Sequence, residues 1–302
     1  MRVKNFRTQY EEKSEERMKK KAYRIAWAMD PFVESATVNR RVFHFIKAFS
    51  LGLRVKIFPV YAPVDNRVAG NSSGLLIQWY ERALKNAEKI LKREVKKFKF
   101  KDLDKATVLE NRKMSTDGAV KAIVDFSMAK DVDFILCSTH GRKGISRWLM
   151  GSFAESILLT SPVPVIIVGP HFKSISKVKK ILFPTDFSDE SKEAFEQFVA
   201  ISADKNAEIV LFNQVNDRWD SMPVGYGGAL ASPASFPAPE KIRAELFEEA
   251  RSQAAEWVEL ATSMGVECTA LVKLGSNLVE DAVLKAQKST KSQMIAMASQ
   301  HE

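Results

Sequence analysis

The stretch from Asp133 to Gly169, DFILCSTHGRKGISRWLMGSFAESILLTSPVPVIIVG, decides the fold. Phe134 to Cys137 is a short apolar run with no polar break, as a strand buried on both faces requires. Ser138-Thr139-His140-Gly141 follows, small and polar, and then a basic segment holding Arg142, Lys143 and Arg147. Gly151-Ser152 opens an apolar-periodic run, and Ser152 with Glu155 fits a capping box at a helix start. Ser161-Pro162 closes that helix, and Val165 to Val168 read as another buried strand. Strand, glycine loop, helix start and strand make a parallel α/β unit whose turn suits phosphate. Backbone N–H groups converge there, and the helix dipole adds partial positive charge.

Plainer readings stand beside this one. Ser152 and Glu155 serve equally as a simple helix cap, and Gly141 and Gly151 as turn residues.

Upstream, residues 1–21 are polar and of mixed charge, and read as a mobile or loosely helical arm. Tyr23 to Met29 is a strand ending at Asp30-Pro31. A carboxylate there lies beside the crevice where open α/β sheets bind ligands. It also commonly just makes a turn. Val38 to Leu51 has helical spacing up to Gly52, and Val55 to Tyr61 is the second strand. A helix from about Gly74 to Lys97, a strand near Thr107 to Asn111 and a helix from Ser115 to about Lys130 complete the order βαβαβαβαβ. Such crossovers give a parallel sheet with helices on both faces.

After a linker, residues 171–178, the pattern restarts. KKILFP (Lys179 to Pro184) is a strand before Thr185-Asp186, followed by a helix from Ser188 to Ser202 and a strand from Glu208 to Val215. Residues 216–239, rich in Gly, Pro, Ala and Ser, form a loop insertion. Glu240 to Met264 is a long helix, Cys268 to Leu274 a strand, Leu278 to Gln287 a helix and Met294 to Met297 the fourth strand. The expected fold is therefore α/β, with two doubly wound parallel-sheet domains at 22–170 and 179–302.

Composition narrows the function. At 45% hydrophobic and 27% charged the chain is globular, and no apolar run reaches the length of a bilayer span. Two cysteines cannot form a disulfide framework, which points to a reducing, cytoplasmic setting, and Cys137 reads as a core residue. The net charge of +9 could draw nucleic acid, anionic membrane or nucleotides. The lysines of 85–105 are interleaved with Glu88 and Glu94, as on a solvated helix face, and no aromatic stacking series accompanies them. Nucleic acid is thus an unfavoured partner and no membrane partner is expected. There is no G-x-x-x-x-G-K-[ST] loop, H-E-x-x-H or C-x-x-C. Gly70-Asn71-Ser72-Ser73-Gly74 falls in a polar loop rather than on a nucleophile elbow. Four scattered histidines argue against a metal cluster.

The glycine loop resembles the nucleotide-binding loop of the universal stress protein family: a Gly, two residues, a Gly, nine residues, then Gly-Ser or Gly-Thr. Gly141, the nine residues Arg142 to Met150 and Gly151-Ser152 match, with Ser138 in place of the first Gly. KKILFPTDFSDES in the second half looks very like the opening of such a domain, more so than YRIAWAMDPFVES in the first. The resemblance covers nearly the whole chain, as a tandem. In the second domain Ala298-Ser299-Gln300-His301 stands where the loop begins, and the rest of the loop, the last helix and the fifth strand are absent.

The resemblance implies adenine-nucleotide binding in the first domain. Met29 and Asp30 correspond to the first-strand end that contacts adenosine, and Val60 to the apolar residue against adenine. Ser138, His140, Gly141 and Arg142 match the loop under ribose and phosphates, and Gly151, Ser152 and Phe153 the helix start that donates to phosphate oxygens. The implied cofactor is ATP, with Mg as its accompanying ion. In the second domain Asp186 and Val215 take the adenosine positions without a phosphate loop, so no tight nucleotide is expected there. The expected function is an ATP-binding regulatory or stress-response protein, with at most slow ATP hydrolysis. A nucleotide-free scaffold acting through dimerisation is the alternative. The partner implied beyond the nucleotide is a second copy, through the apolar strand at Val163 to Val168.

Overall fold

The structure is a computed structural model, and it describes residues 22–32, 35–64, 76–139, 152–216 and 239–298. Two compact units divide the chain, Met1–Lys177 and Val178–Gln300 in their main ranges.

The first unit is a five-stranded parallel sheet, ordered β3-β2-β1-β4-β5. Its strands are β1 (Tyr23–Ala28), β2 (Val55–Tyr61), β3 (Thr107–Val108), β4 (Phe134–Ser138) and β5 (Val165–Val168). Between them run α1 (Ala36–Ser50), α2 (Leu76–Val95), α3 (Thr116–Ala129) and α4 (Ser152–Thr160). Alternation along each strand gives the sheet two apolar faces. Ala26, Phe58, Val60, Ile135 and Cys137 form one core with Val120, Ile123 and Val124 of α3 and Ala154 and Ile157 of α4. On the other face Trp27 meets Phe98, ring centres 5.3 Å apart, and Phe134 meets Phe49 of α1 at 5.8 Å. Helix α1 buries Val42, Phe45, Ile46 and Phe49, the i, i+3, i+4, i+7 stripe that its spacing predicts. It ends where Gly52 turns left-handed at φ 87°. Helix α3 is capped by the Ser115 hydroxyl, which accepts from the Gly118 N–H.

The second unit repeats the plan with four parallel strands, ordered β8-β7-β6-β9. These are β6 (Lys180–Pro184), β7 (Glu208–Asn216), β8 (Cys268–Gly275) and β9 (Met294–Ile295), joined by α5 (Asp189–Lys205), α6 (Pro239–Ser263) and α7 (Val279–Thr290). Phe183, Phe195, Leu211 and Trp257 fill one face, with Phe195 stacked on Trp257 at 5.0 Å. Leu182, Val210 and Phe212 meet Ala282, Val283 and Ala286 of α7 on the other. Each large side chain so buried contributes about 1.5–3 kcal/mol.

Boundaries differ from expectation where a local cap decides them. Helix α5 continues past Ser202 to Lys205 because Asn206 takes the left-handed cap position, φ 51°. The strand expected over Thr107 to Asn111 pairs only at Thr107 and Val108. Asn111 is instead drawn out of the ladder to hold a loop.

Candidate functional site

In the first sheet the chain leaves β1 toward β2 and β3, then returns to β4 on the other side. The carboxyl ends of β1 and β4 therefore border the topological switch point, where open α/β sheets bind ligands. Met29 and Asp30 follow β1 there, and Ser138 ends β4 beside them.

Met29 is buried, and its N–H donates to the Val60 carbonyl at 2.9 Å, so the β1 and β2 ends move as one. The Val60 side chain is fully buried in the core cluster, which makes it a backing for the crevice rather than an exposed wall. Asp30 is engaged on both of its polar faces. Its carboxylate accepts from the Phe32 N–H at 3.2 Å and the Ser35 hydroxyl at 2.7 Å, and its carbonyl accepts from Asn39 Nδ2 at 2.6 Å. Ser35 and Asn39, both buried, thus fix the turn from β1 into α1.

Ser138 pairs in register with Val168, and the next N–H, of Thr139, donates to the Val168 carbonyl at 3.2 Å. Phe153, in the first turn of α4, packs half-buried on the core. Helix α4 opens at Ser152, whose side chain lies outside the described residues, as do His140, Gly141, Arg142 and Gly151.

Asn111 is a residue that the sequence reading passed over. Its amide donates to the Pro63 carbonyl at 2.7 Å and the Ser115 carbonyl at 2.8 Å, and its N–H donates to the Tyr80 hydroxyl at 2.7 Å. One buried side chain therefore joins the end of β2 and the start of α3, while its own N–H holds α2. A signal was present: an Asn at a strand end, three residues past Val108.

The second sheet has its switch point between β6 and β9. Asp186 accepts there from the Ser188 N–H at 3.0 Å and from the hydroxyls of Ser188 and Ser191, both at 2.7 Å. Burial pushes its carboxyl up, but the hydrogen bonds from Ser188 and Ser191 together outweigh this and hold it below the ordinary range. The register corrects the expectation for Val215. Ala28 pairs with Val60 in the first sheet and Pro184 with Phe212 in the second, so Phe212 is the counterpart of Val60. Strand β7 runs on to Asn216, which carries Val215 three residues beyond that level. Gln214 joins the strand ends, its amide donating to the carbonyls of Gly275 at 3.2 Å and Asn277 at 2.8 Å.

Neither thiol is poised as a nucleophile. Burial pushes Cys137 and Cys268 each up to about 12. A cleft of about 410 Å³ lined by Glu81, Lys85, Glu88 and Lys105 opens at the β3 edge, two strands from the switch point. Among the described residues no cluster of metal-ligating side chains occurs, and no helix is long and apolar enough to cross a membrane.

These features define a tandem of doubly wound, parallel α/β domains, each with a topological switch point beside its first strand. The profile of the Universal stress protein family matches residues 24–169 and again 177–302, and the chain belongs to that family. A putative universal stress protein of Staphylococcus saprophyticus is 40% identical over 53 residues, 17% of this chain and 32% of that protein. Among solved structures, a universal stress protein from Archaeoglobus fulgidus superposes with a TM-score of 0.59 at 16% identity, covering 91% of this chain and 86% of its own. A functionally unknown protein from Pseudomonas aeruginosa gives 0.51 at 11% identity, over 91% and 81%.

Proposed function

We propose that the first domain binds ATP across the carboxyl ends of β1, β2 and β4, as a regulatory stress-response protein without a dedicated catalytic centre. The observation that carries this reading is the switch point between β1 and β4, followed by a glycine-spaced loop into the start of α4. Phosphates rest on the loop from Ser138 to Phe153, with Gly141 and Gly151 allowing close backbone approach and the α4 dipole favouring the negative charge. Arg142 supplies a charge-assisted donor to the polyphosphate, His140 lies beneath the ribose, and Mg accompanies the phosphates. Met29 presents backbone at the adenosine end, and Val60 backs it. The Asp30 carboxylate is committed to Ser35 and the Phe32 N–H, so its part is to hold that strand end in place.

In the second domain Ala298 and His301 stand where Ser138 and Gly141 stand, which gives less room there for close backbone approach to phosphate. A second copy pairs along β5, the outer strand of its sheet. Mass spectrometry of small molecules released by denaturing the purified protein tests the assignment. Stoichiometric ATP or ADP supports it. A nucleotide-free protein that also fails to take up added ATP would favour the scaffold reading, to which Ser138 in place of glycine lends support.

A further inference from the structure

In a parallel α/β domain the helices run back against the strands, so helix carboxyl ends gather where strands begin. In the first domain that end, opposite the crevice, is strongly basic. Arg54 directly precedes β2, and Lys92 and Arg93 occupy the last turn of α2. The backbone carbonyl of Asp102, next to Lys101, accepts from the Ile57 N–H at 2.9 Å, which sets Lys101 beside the first half of β2.

The sequence KFKFK, Lys97 to Lys101, is sorted by its rings. Phe98 packs on Trp27 at 5.3 Å and on Phe43 at 4.8 Å, and Phe100 meets Phe43 at 6.1 Å. With both phenylalanines turned inward, Lys97, Lys99 and Lys101 are exposed. Three carboxylates at this end are paired, Glu94 with Lys97, Asp104 with Lys56 at 2.9 Å and Asp131 with Arg24 at 3.4 Å, while Asp102 beside Lys101 is a negative charge within the patch. Among the described residues, Arg54, Arg93, Lys96, Lys99 and Lys101 have no acidic partner.

The same end carries the exposed apolar side chains. Within the described part of the first unit the most exposed large ones are Leu51, Met128 and Leu159, at 52%, 49% and 66%. Leu51 follows α1, and Met128 and Leu159 lie in the last turns of α3 and α4, so all three sit at helix carboxyl ends. Cations in a last helical turn answer the helix dipole, which accounts for Arg93. That explanation covers neither the loop lysines nor the exposed apolar residues at the same end.

We infer that this end of the first domain docks on an anionic phospholipid surface, with lysine and arginine on the headgroups and Leu51, Met128 and Leu159 at the acyl boundary. A lipid surface uses both kinds of side chain. Single-stranded nucleic acid needs exposed rings, and here Phe98 and Phe100 are half-buried against Trp27 and Phe43. Duplex phosphates give the apolar residues nothing to do.

The test is co-sedimentation of the full chain with phosphatidylcholine vesicles carrying about a third phosphatidylserine. Retention is expected at about 50 mM salt, with release near 500 mM, and none is expected on pure phosphatidylcholine. Lys96→Glu, Lys99→Glu and Lys101→Glu together should weaken retention at least about tenfold, and Leu51→Glu should weaken it roughly threefold. Circular dichroism checks that each variant is folded. If the triple variant misfolds, the parent's vesicle selectivity and salt release decide. No retention by the parent, equal retention on neutral vesicles, undiminished retention by the folded triple variant, or a DNA duplex held more tightly than the anionic vesicles would each overturn the proposal.

Discussion

The hydroxyl of Ser35 donates to the carboxylate of Asp30 at 2.7 Å, and Ser191 donates to Asp186 at the same distance in the second domain. The five-residue step is identical in both repeats. In each, an acid at the end of the first strand is tied to the opening of the first helix, and the crevice edge is anchored by that bond. The carboxylate is therefore a fastener of the strand-to-helix turn before it is anything else.

Removing the fastener should be felt in stability. Ser35→Ala deletes a buried donor to a carboxylate, and hydrogen bonds to charged groups are worth about 1.5–3 kcal/mol. Urea denaturation of the first domain's transition should show a loss of that size. Wild-type stability with weakened ATP binding would instead place Ser35 at the ligand.

Acid should unfasten the second domain. The Asp186 carboxyl is held below its ordinary range, so the folded state binds its proton less readily than the unfolded chain does. Its stabilisation is present above the unfolded value, about 3.9, and is lost as pH falls through the folded one. Asp186→Asn should flatten the acid limb of a stability–pH curve below about pH 4 and lower stability at neutral pH. An unchanged acid limb would contradict the assignment.

Gly118 is demanded by Asn111. A Cβ built on Gly118 would lie 2.2 Å from Asn111 Oδ1, too close for both to stay. Gly118→Ala should cost about 1–3 kcal/mol, as overpacking does, despite the better helix propensity of alanine. Asn111→Ala removes the obstacle, so the double variant should be less damaged than the sum of the singles. Additive losses in chemical denaturation would show that the two sites are independent.

Much of this architecture was legible in the sequence, and the limits have physical causes. Strand β2 was read to the residue because Val55 to Tyr61 is buried almost throughout and lies between Gly52 and Pro63. The Gly141 and Gly151 spacing that marks a phosphate loop in the sequence lies outside the described residues. Asn111 left little trace, since its role depends on Pro63, 48 residues away. Val215 was misplaced because a buried strand run shows its extent but not its register, which the pairing of Pro184 with Phe212 fixes. The Asp30 turn was foreseen as one of two roles, and which role dominates depended on Ser35 being buried against it.

Self-association should run along β5. The carbonyls of Pro164 and Val168 accept from the N–H groups of Ile135 and Thr139 on the β4 side, so the alternating residues Val165 and Ile167 direct their backbone groups to the outer edge. Ile167→Pro removes an edge donor while leaving the β4 ladder intact. Light scattering should show a dimer for the parent and a monomer for this variant. A parent that is monomeric at all accessible concentrations would refute pairing along that edge.

The central claim is that ATP lies on the loop of the first domain, and calorimetric titration of the full chain with ATP tests it most directly. The account predicts one ATP per chain, with binding abolished in Gly151→Asp, which sets a side chain and a negative charge against the phosphates. Binding of equal strength by the parent and a folded Gly151→Asp variant would contradict it, as would a parent that binds no ATP.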